Sequence, residues 1–297
     1  MTDPKSFAGV ARAPFLTLPV TLVAVGSAAA AYDGAFSWLR TILALVGLLS
    51  LHIAANVFNE VSDMRTGIDD NTKRTPFSGG SGTLQAGAMS VGAATAFGVV
   101  SALVGLAIGV WFYTLVGWSL LPFMILGAVF VVGYTDVLTK LGIGEIAAGL
   151  GLGGLPVAGV ALVQGGVIGP AAIAAAIPAT FMTFNLLLLN EFPDEDADRQ
   201  GGRRHLVIQL GRRRAAIVYA LAGLLTPISI VVSVVFDSLP LVALIAVLPS
   251  LLLVKPLQWA FRTPNTAVPI PALGANVAWN QLTNLVLAAV LVAAVYF

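Results

Sequence analysis

The chain has 297 residues, 58% of them hydrophobic and only 10% charged, with a net charge of +1. A soluble domain carries roughly 25% charged residues, so the composition describes a polytopic membrane protein and excludes a soluble globular one. No dense basic run points to nucleic acid, and a sequence without Cys has neither disulfides nor thiolate metal sites.

In chain order, residues 1–12 are short and polar. No small-residue cleavage site clearly follows the first apolar run, which is therefore expected to stay in place as a helix. A membrane-crossing helix needs about 20 apolar residues. The apolar runs predict an all-α bundle of nine spans, at 15–31, 38–58, 91–112, 115–133, 146–164, 171–189, 215–235, 239–254 and 273–296. The eighth is short, consistent with a tilted or partly re-entrant segment. With nine spans, 14 of the 15 Lys and Arg residues fall on the side of the N-terminus; Arg40 is the exception. Positively charged loops stay in the cytoplasm, so the N-terminus is expected inside and the C-terminus outside. Most acids fall on the cytoplasmic side too, and the outer connections are short.

Four segments on that side carry chemistry. The first ends span two: Asn56, Asn59, Glu60 and Asp63 recur at helical i, i+3, i+4, i+7 spacing, so oxygen-bearing side chains share a face. Gly67 is placed to end the helix, with Asp69 and Asp70 beyond it. A solvated helix end with a mixed charge pattern is the plain alternative, but an Asn/Asp face inside a span is expensive without a purpose. The second is Lys73-Arg74-Thr-Pro-Phe-Ser-Gly-Gly-Ser-Gly, whose small residues and two cations suit a phosphate as well as a flexible connector. The third, 134–145, contains Tyr134 and Lys140; Lys140 reads as a phosphate contact or a topology anchor. Gly149 and Gly153 beyond it read as helix-packing positions.

The fourth follows 44 uncharged residues, 146–189, with five acids in eight positions: Glu191, Asp194, Glu195, Asp196 and Asp198. Asn190, Asp194 and Asp198, at i, i+4, i+8, share a helix face. Glu195 and Asp196 read as solvated neighbours. Arg199, Arg203 and Arg204 are candidate diphosphate clamps, and Arg212 to Arg214 read as topology anchors. His52 reads as a hydrogen-bonded packing residue, and His205 has no evident partner. The two acidic segments follow spans two and six on the same side, a pseudo-repeat of helix, acidic loop and helix within one domain, 1–297. Hard oxygen ligands of this kind suit Mg²⁺, which usually brings phosphate with it. Facing carboxylate clusters would hold Mg²⁺ ions on a diphosphate, and an apolar bundle would solvate an isoprenoid tail and keep water from an allylic cation.

These segments resemble the two Asp-rich motifs of the UbiA superfamily of intramembrane prenyltransferases. Asn59-Glu60-x-x-Asp63 is similar to the first motif, NDxxDxxxD, and Asp194-x-x-x-Asp198, preceded by Asn190, to the second. Glu60 replaces an Asp, and Gly67 stands where the third motif Asp would be. The pattern Asn56, Asn59, Glu60, Asp63, Gly67, Asp69 is similar to the 1,4-dihydroxy-2-naphthoate prenyltransferase branch. So is the run Asn190, Asp194, Asp198, Arg199, Gly202, Arg203, Arg204, Leu206. In that branch Asp69 supplies the carboxylate that Gly67 lacks.

The resemblance implies Mg²⁺-dependent transfer of a polyprenyl chain from its diphosphate to an aromatic ring, here in menaquinone synthesis, with decarboxylation of the acceptor. It assigns Asn59, Glu60, Asp63, Asp69, Asp194 and Asp198 to the metal. Substrate contacts go to Asn56, Lys73, Arg74, Tyr134, Lys140, Asn190, Arg203 and Arg204. The expected catalytic residues are Asp63, Asp194 and Lys140. Polyprenyl diphosphate, an aromatic acceptor and the lipid bilayer are the expected partners, and no protein partner is called for. Other acceptors of the same family remain open: 4-hydroxybenzoate, homogentisate, haem, a chlorophyll precursor or a glycerol-linked lipid. A CDP-alcohol phosphotransferase would begin its motif with D-G-x-x-A-R, which is absent. A cation transporter would place ionisable groups at mid-bilayer, whereas here they gather at one face.

Overall fold

The computed structural model describes residues 3–72 and 74–296, with Asp70 and Asn71 described by backbone alone. Asp3 caps α1 (Pro4–Val10) by accepting the Lys5 N–H at 3.1 Å. Arg12, at φ 49°, then turns the chain into a 3₁₀ segment, Ala13–Leu16, that leads into α2 (Thr17–Tyr32). Ser37 caps α3 (Trp38–Thr66) through the Arg40 N–H. That helix stops at Gly67, whose φ of 73° is a conformation glycine adopts without a Cβ penalty. A one-turn helix, α4 (Ile68–Asn71), and the Gly/Ser loop lead to α5 (Val91–Val116) and α6 (Leu121–Gly133).

The chain continues through α7 (Thr139–Leu141), α8 (Gly144–Gly149) and α9 (Leu155–Gly165), with π-helical turns at Tyr134–Leu138 and Leu150–Gly154. The 31-residue α10 (Pro170–Gln200) follows, then the short α11 (Leu206–Leu210), α12 (Arg212–Val235), α13 (Val254–Arg262) and α14 (Ile270–Tyr296).

Among the described residues, eight helical stretches are long and apolar enough to cross a membrane. The chain is therefore an all-α polytopic membrane protein. Predicted spans 91–112 and 115–133 lie within one 51-residue stretch, Val91–Leu141. That stretch is not straight. A Cβ on Gly109 would lie 3.6 Å from Met124 Cε, although fifteen residues of straight helix span about 22 Å. The chain doubles back at Gly117 (φ 67°) and the 3₁₀ turn Gly117–Leu120, a few residues beyond the predicted loop at 113–114. The predicted span 239–254 is a 3₁₀ segment, Leu241–Leu253, running straight into α13, so Lys255 and Arg262 lie on a helix rather than in a loop.

Helix α10 packs against α2, α8, α9, α12 and α14. Gly153 lets the α8–α9 segment approach: a Cβ there would stand 2.5 Å from the Ala179 carbonyl oxygen. On the other side, buried amides fix the rotation of α10. Asn185 Nδ2 donates to the Tyr219 carbonyl at 2.9 Å, Asn276 Nδ2 to the Asn185 carbonyl at 3.1 Å, and the Tyr219 hydroxyl to Asn276 Oδ1 at 2.9 Å. Interhelical bonds of this kind contribute about 0.6 kcal/mol each in membranes. Five residues advance a helix by roughly 140°, so holding Asn185 toward α12 and α14 turns Asn190 to the opposite side. Phe192 and Trp259, edge-to-face with centroids 4.9 Å apart, close the packing at that end of α10.

Candidate active site

The last turns of α3 and α10 open onto one cavity of about 550 Å³, a volume within the usual range of small-molecule sites. Its body is apolar, with Leu51, Leu106, Phe123, Phe130, Leu155 and Leu186 in the wall. Its polar end is built from Asn56, Asn59 and Asp63 of α3, Asp69 of α4, and Asn190, Asp194 and Asp198 of α10. Of these, Asn56 donates to the Ala11 carbonyl at 2.8 Å and Asn59 to Thr135 Oγ1 at 3.4 Å.

Arg203 joins the two acidic segments. Its Nη1 donates to Asp198 Oδ1 at 2.7 Å and its Nη2 to Asp63 Oδ1. The side chains of Asp63 and Asp198 are only 3% and 4% exposed, so water cannot replace that guanidinium. Burial lowers the Arg203 pKa, but Asp198 and Asp63 outweigh it and hold the group above its ordinary value, so it stays charged. Asp69 shifts up, chiefly through desolvation and secondarily through Glu60, against the opposing charges of Arg12, Arg203 and Arg74. Gln85 Nε2 donates to Asp69 at 3.3 Å. Gly80, at φ 69°, brings the Gly/Ser loop against the same carboxylate, where a Cβ would collide with it. Buried Asn190 Oδ1 and Asp194 Oδ1 find no hydrogen-bond partner among the described residues. In a low-dielectric site such orphan oxygens call for a donor or a cation.

Several predicted residues stand elsewhere. Glu60 is fully buried but turned off the cavity. It pairs with Arg12 Nε at 2.6 Å and accepts Ser81 N–H and Oγ–H at 2.9 and 2.7 Å, which anchors the Gly/Ser loop to α3. The four-residue face of α3 is thus split between two neighbours. Lys140 is exposed on α7 and Arg204 is exposed beside it, its backbone N–H bonded to the Thr139 carbonyl; neither lines the cavity. Arg74 is exposed and spans its own loop, donating to the Gly79 carbonyl at 3.3 Å. Arg199 is tied to Glu195 at 2.8 Å. Tyr134 does line the cavity. Lys73 lies outside the described residues.

Arg12 lines the cavity mouth through a partner 48 residues away; sequence reading counted it only as a topology charge. His205, for which the sequence offers no evident partner, is buried between Glu191 and Asp198, 3.9 Å and 3.4 Å away. His52, read from the sequence as a hydrogen-bonded packing residue, is buried and lines the cavity, with Nδ1 unbonded among the described residues. Arg212 is more than a topology anchor: it binds Glu195 at 3.0 Å and the carbonyls of Phe192, Pro264 and Thr266.

Together these features define an all-helical membrane protein whose apolar internal cavity ends in two facing acidic helix faces. Residues 17–280 match the model of the UbiA prenyltransferase family, and the chain belongs to that family. It is 27% identical, over 91% of its own length and 90% of the relative's, to the 1,4-dihydroxy-2-naphthoate octaprenyltransferase of Escherichia coli (strain K12). Its fold is similar to the apo structure of a UbiA homolog from Aeropyrum pernix K1, at TM-score 0.72 and 17% identity, covering 92% of this chain and 96% of that one. A UbiA homolog from Archaeoglobus fulgidus, solved with GPP and Mg²⁺, gives a TM-score of 0.71 at 16% identity, with 97% and 99% covered.

Proposed function

We propose that the chain catalyses Mg²⁺-dependent transfer of a polyprenyl group from polyprenyl diphosphate to 1,4-dihydroxy-2-naphthoate. The observation that carries this reading is the facing of the two acidic helix ends across one apolar-walled cavity, with Arg203 between them. The donor set is all oxygen and includes two buried orphans, Asn190 Oδ1 and Asp194 Oδ1, which fits a hard divalent cation. Asn59, Asp63, Asp69, Asp194 and Asp198 would hold it, with Asn56 and Asn190 beside them. Bound there, Mg²⁺ would neutralise charge on the leaving diphosphate. The motif variant with Glu60, Gly67 and Asp69, and the similarity to the Escherichia coli enzyme, support the naphthoate acceptor.

The protein's own groups divide the remaining work. Arg203 stays protonated and directs a planar fork of donors into the polar end, where a diphosphate would sit. Lys73 is proposed to add a second cation. The apolar wall takes the prenyl tail and excludes water while the allylic carbon–oxygen bond breaks, diphosphate leaves, and a carbon–carbon bond to the ring forms as the attacked ring carbon gives up its carboxyl group as CO₂ or its hydrogen as a proton. Tyr134 stands at the wall where an acceptor would approach. We read the doubled-back Val91–Leu141 stretch as two passes, making nine, in one domain. The loop charges favour a cytoplasmic N-terminus and active site.

The test is prenyl transfer from labelled diphosphate in membranes carrying Asp63→Asn or Asp194→Asn. Each variant is expected to lose at least about a hundredfold in rate, the scale of removing one charge-stabilising group. Near-normal Mg²⁺-dependent transfer by both would sink the assignment.

A further inference from the structure

Beside the acid-lined end, three buried side chains are left unused by the proposed transfer. Glu145 sits in the first turn of α8, Glu191 lies on α10 next to Asn190, and His205 immediately precedes α11. They are 1%, 8% and 2% exposed. One ligand atom from each lies within 4.8 Å of the others. Glu145 Oε1 accepts the Leu206 N–H at 2.5 Å, which ties that carboxylate to the turn carrying His205. Yet Glu191 Oε2 and both ring nitrogens of His205 have no hydrogen-bond partner among the described residues. The neighbouring guanidinium of Arg203 directs its bonds to Asp63 and Asp198 instead. Two carboxylates and an imidazole therefore converge in a buried position, with Glu191 Oε2 and both imidazole nitrogens left without a hydrogen bond among the described residues.

We propose that Glu145, Glu191 and His205 form an adjoining site for one borderline divalent cation of the Zn²⁺ or Fe²⁺ class, for which Mn²⁺ serves as the paramagnetic probe. The donor chemistry decides the class. The wall built from Asn56, Asn59, Asp63, Asp69, Asn190, Asp194 and Asp198 offers oxygen only, which suits Mg²⁺. An imidazole with two carboxylates suits the borderline transition ions. Three protein ligands leave a coordination position open, as in catalytic rather than structural metal sites. Glu191 and His205 both line the main cavity, so a cation held by them would be reached from it. The inference does not rest on the prenyl-transfer reading, because the three residues and the unbonded atoms of Glu191 and His205 stand whatever the substrate is.

The test uses the purified full chain in detergent, without substrate, loaded with Mn²⁺ alone and read by pulsed electron paramagnetic resonance. Wild type should show the large ¹⁴N hyperfine coupling of a directly bound imidazole, well above the weak coupling that an unligated His205 nitrogen would give to a cation held on Asp198. The large coupling should persist in His52→Gln, since that second histidine also lines the cavity, and vanish in His205→Gln. Glu145→Gln should weaken the nitrogen-bound Mn²⁺ by roughly tenfold or more, the scale of removing a group that supports a metal site. Absence of the large nitrogen coupling in saturated wild type, or its persistence in His205→Gln, overturns the proposal and leaves the two carboxyls sharing a proton. If His205→Gln fails to fold, loss of the nitrogen coupling in His52→Gln overturns the proposal and its retention there supports it, since these are the two histidines of the chain.

Discussion

Replacing Arg203 with Met keeps roughly the length of the side chain and removes its charge. In metal-free protein this leaves Asp63 and Asp198, 3% and 4% exposed, without the guanidinium that both contact. Breaking a buried ion pair by deleting one partner costs about 3–5 kcal/mol, because the surviving charge stays buried and uncompensated. The two carboxylates share one Arg, so the cost is counted once. For a soluble protein of 150–250 residues about 1 kcal/mol corresponds to roughly 2–4 °C in melting temperature, which makes the expected drop roughly 6–20 °C. Saturating Mg²⁺ should recover most of it, since a divalent cation on the same carboxylates supplies the missing charge. The residual loss should be near that of one ordinary hydrogen bond, about 1 kcal/mol. The assay is thermal unfolding in detergent with chelator and with Mg²⁺, followed by the fluorescence of the five Trp residues. Equal melting of Arg203→Met and wild type in chelator would show that the carboxylates do not depend on Arg203. An equal deficit with and without Mg²⁺ would show that the cation does not bind where Arg203 does.

Arg12→Met should also destabilise, by about 3 kcal/mol, because Glu60 is fully buried. Arg12 also lines the cavity and its charge opposes the proton on Asp69, so the deficit should be largest in chelator and shrink with Mg²⁺, which binds more tightly once that positive charge is gone; an equal deficit in both would separate Arg12 from the cation site. Asp69 gives a pH signature. Its pKa is raised in the folded protein, so the metal-free fold holds that proton more tightly than the unfolded chain. The stability it contributes is present below the ordinary carboxylate pKa and lost as pH rises through the raised one. Cation binding displaces the proton, so the stabilisation by Mg²⁺ should grow with pH across that window, measured as a difference in melting temperature. Lys140→Ala and Arg204→Ala remove exposed charges outside the cavity. Their transfer rates should stay within about twofold of wild type, the range of ordinary surface substitutions, and a loss of a hundredfold in either would return that residue to the site.

Much of this architecture is readable from local pattern. The i, i+4, i+8 spacing of Asn190, Asp194 and Asp198 places all three on one helix face, and all three line the cavity. Asn56, Asn59 and Asp63 do the same from α3. Glu60 shares their spacing but not their environment, because its direction is decided by Arg12 and Ser81, which reach it from other segments. Periodicity reports a helix face to within a broad arc; it does not report which neighbour each side of that arc meets. Arg12 and His205 were missed for the same reason: their partners come from other elements or a reversed turn. The fold-back at Gly117 fell a few residues late because the apolar run continues unbroken through 115–117, and a positive φ at one glycine among many leaves no mark in hydropathy. Lys140 and Arg204 looked like diphosphate contacts because cations near an acidic motif are ambiguous until their exposure is seen.

The most direct measurement is mass spectrometry of the product formed by purified wild-type protein from 1,4-dihydroxy-2-naphthoate and a polyprenyl diphosphate, with Mg²⁺ and with chelator. The account predicts a prenylated naphthalene product that appears with Mg²⁺, disappears with chelator, and is lost in Asp63→Asn and Asp194→Asn. A prenylated product formed equally well in chelator, or none from this acceptor under Mg²⁺ while another acceptor is prenylated, would contradict the mechanism in the first case and the choice of acceptor in the second.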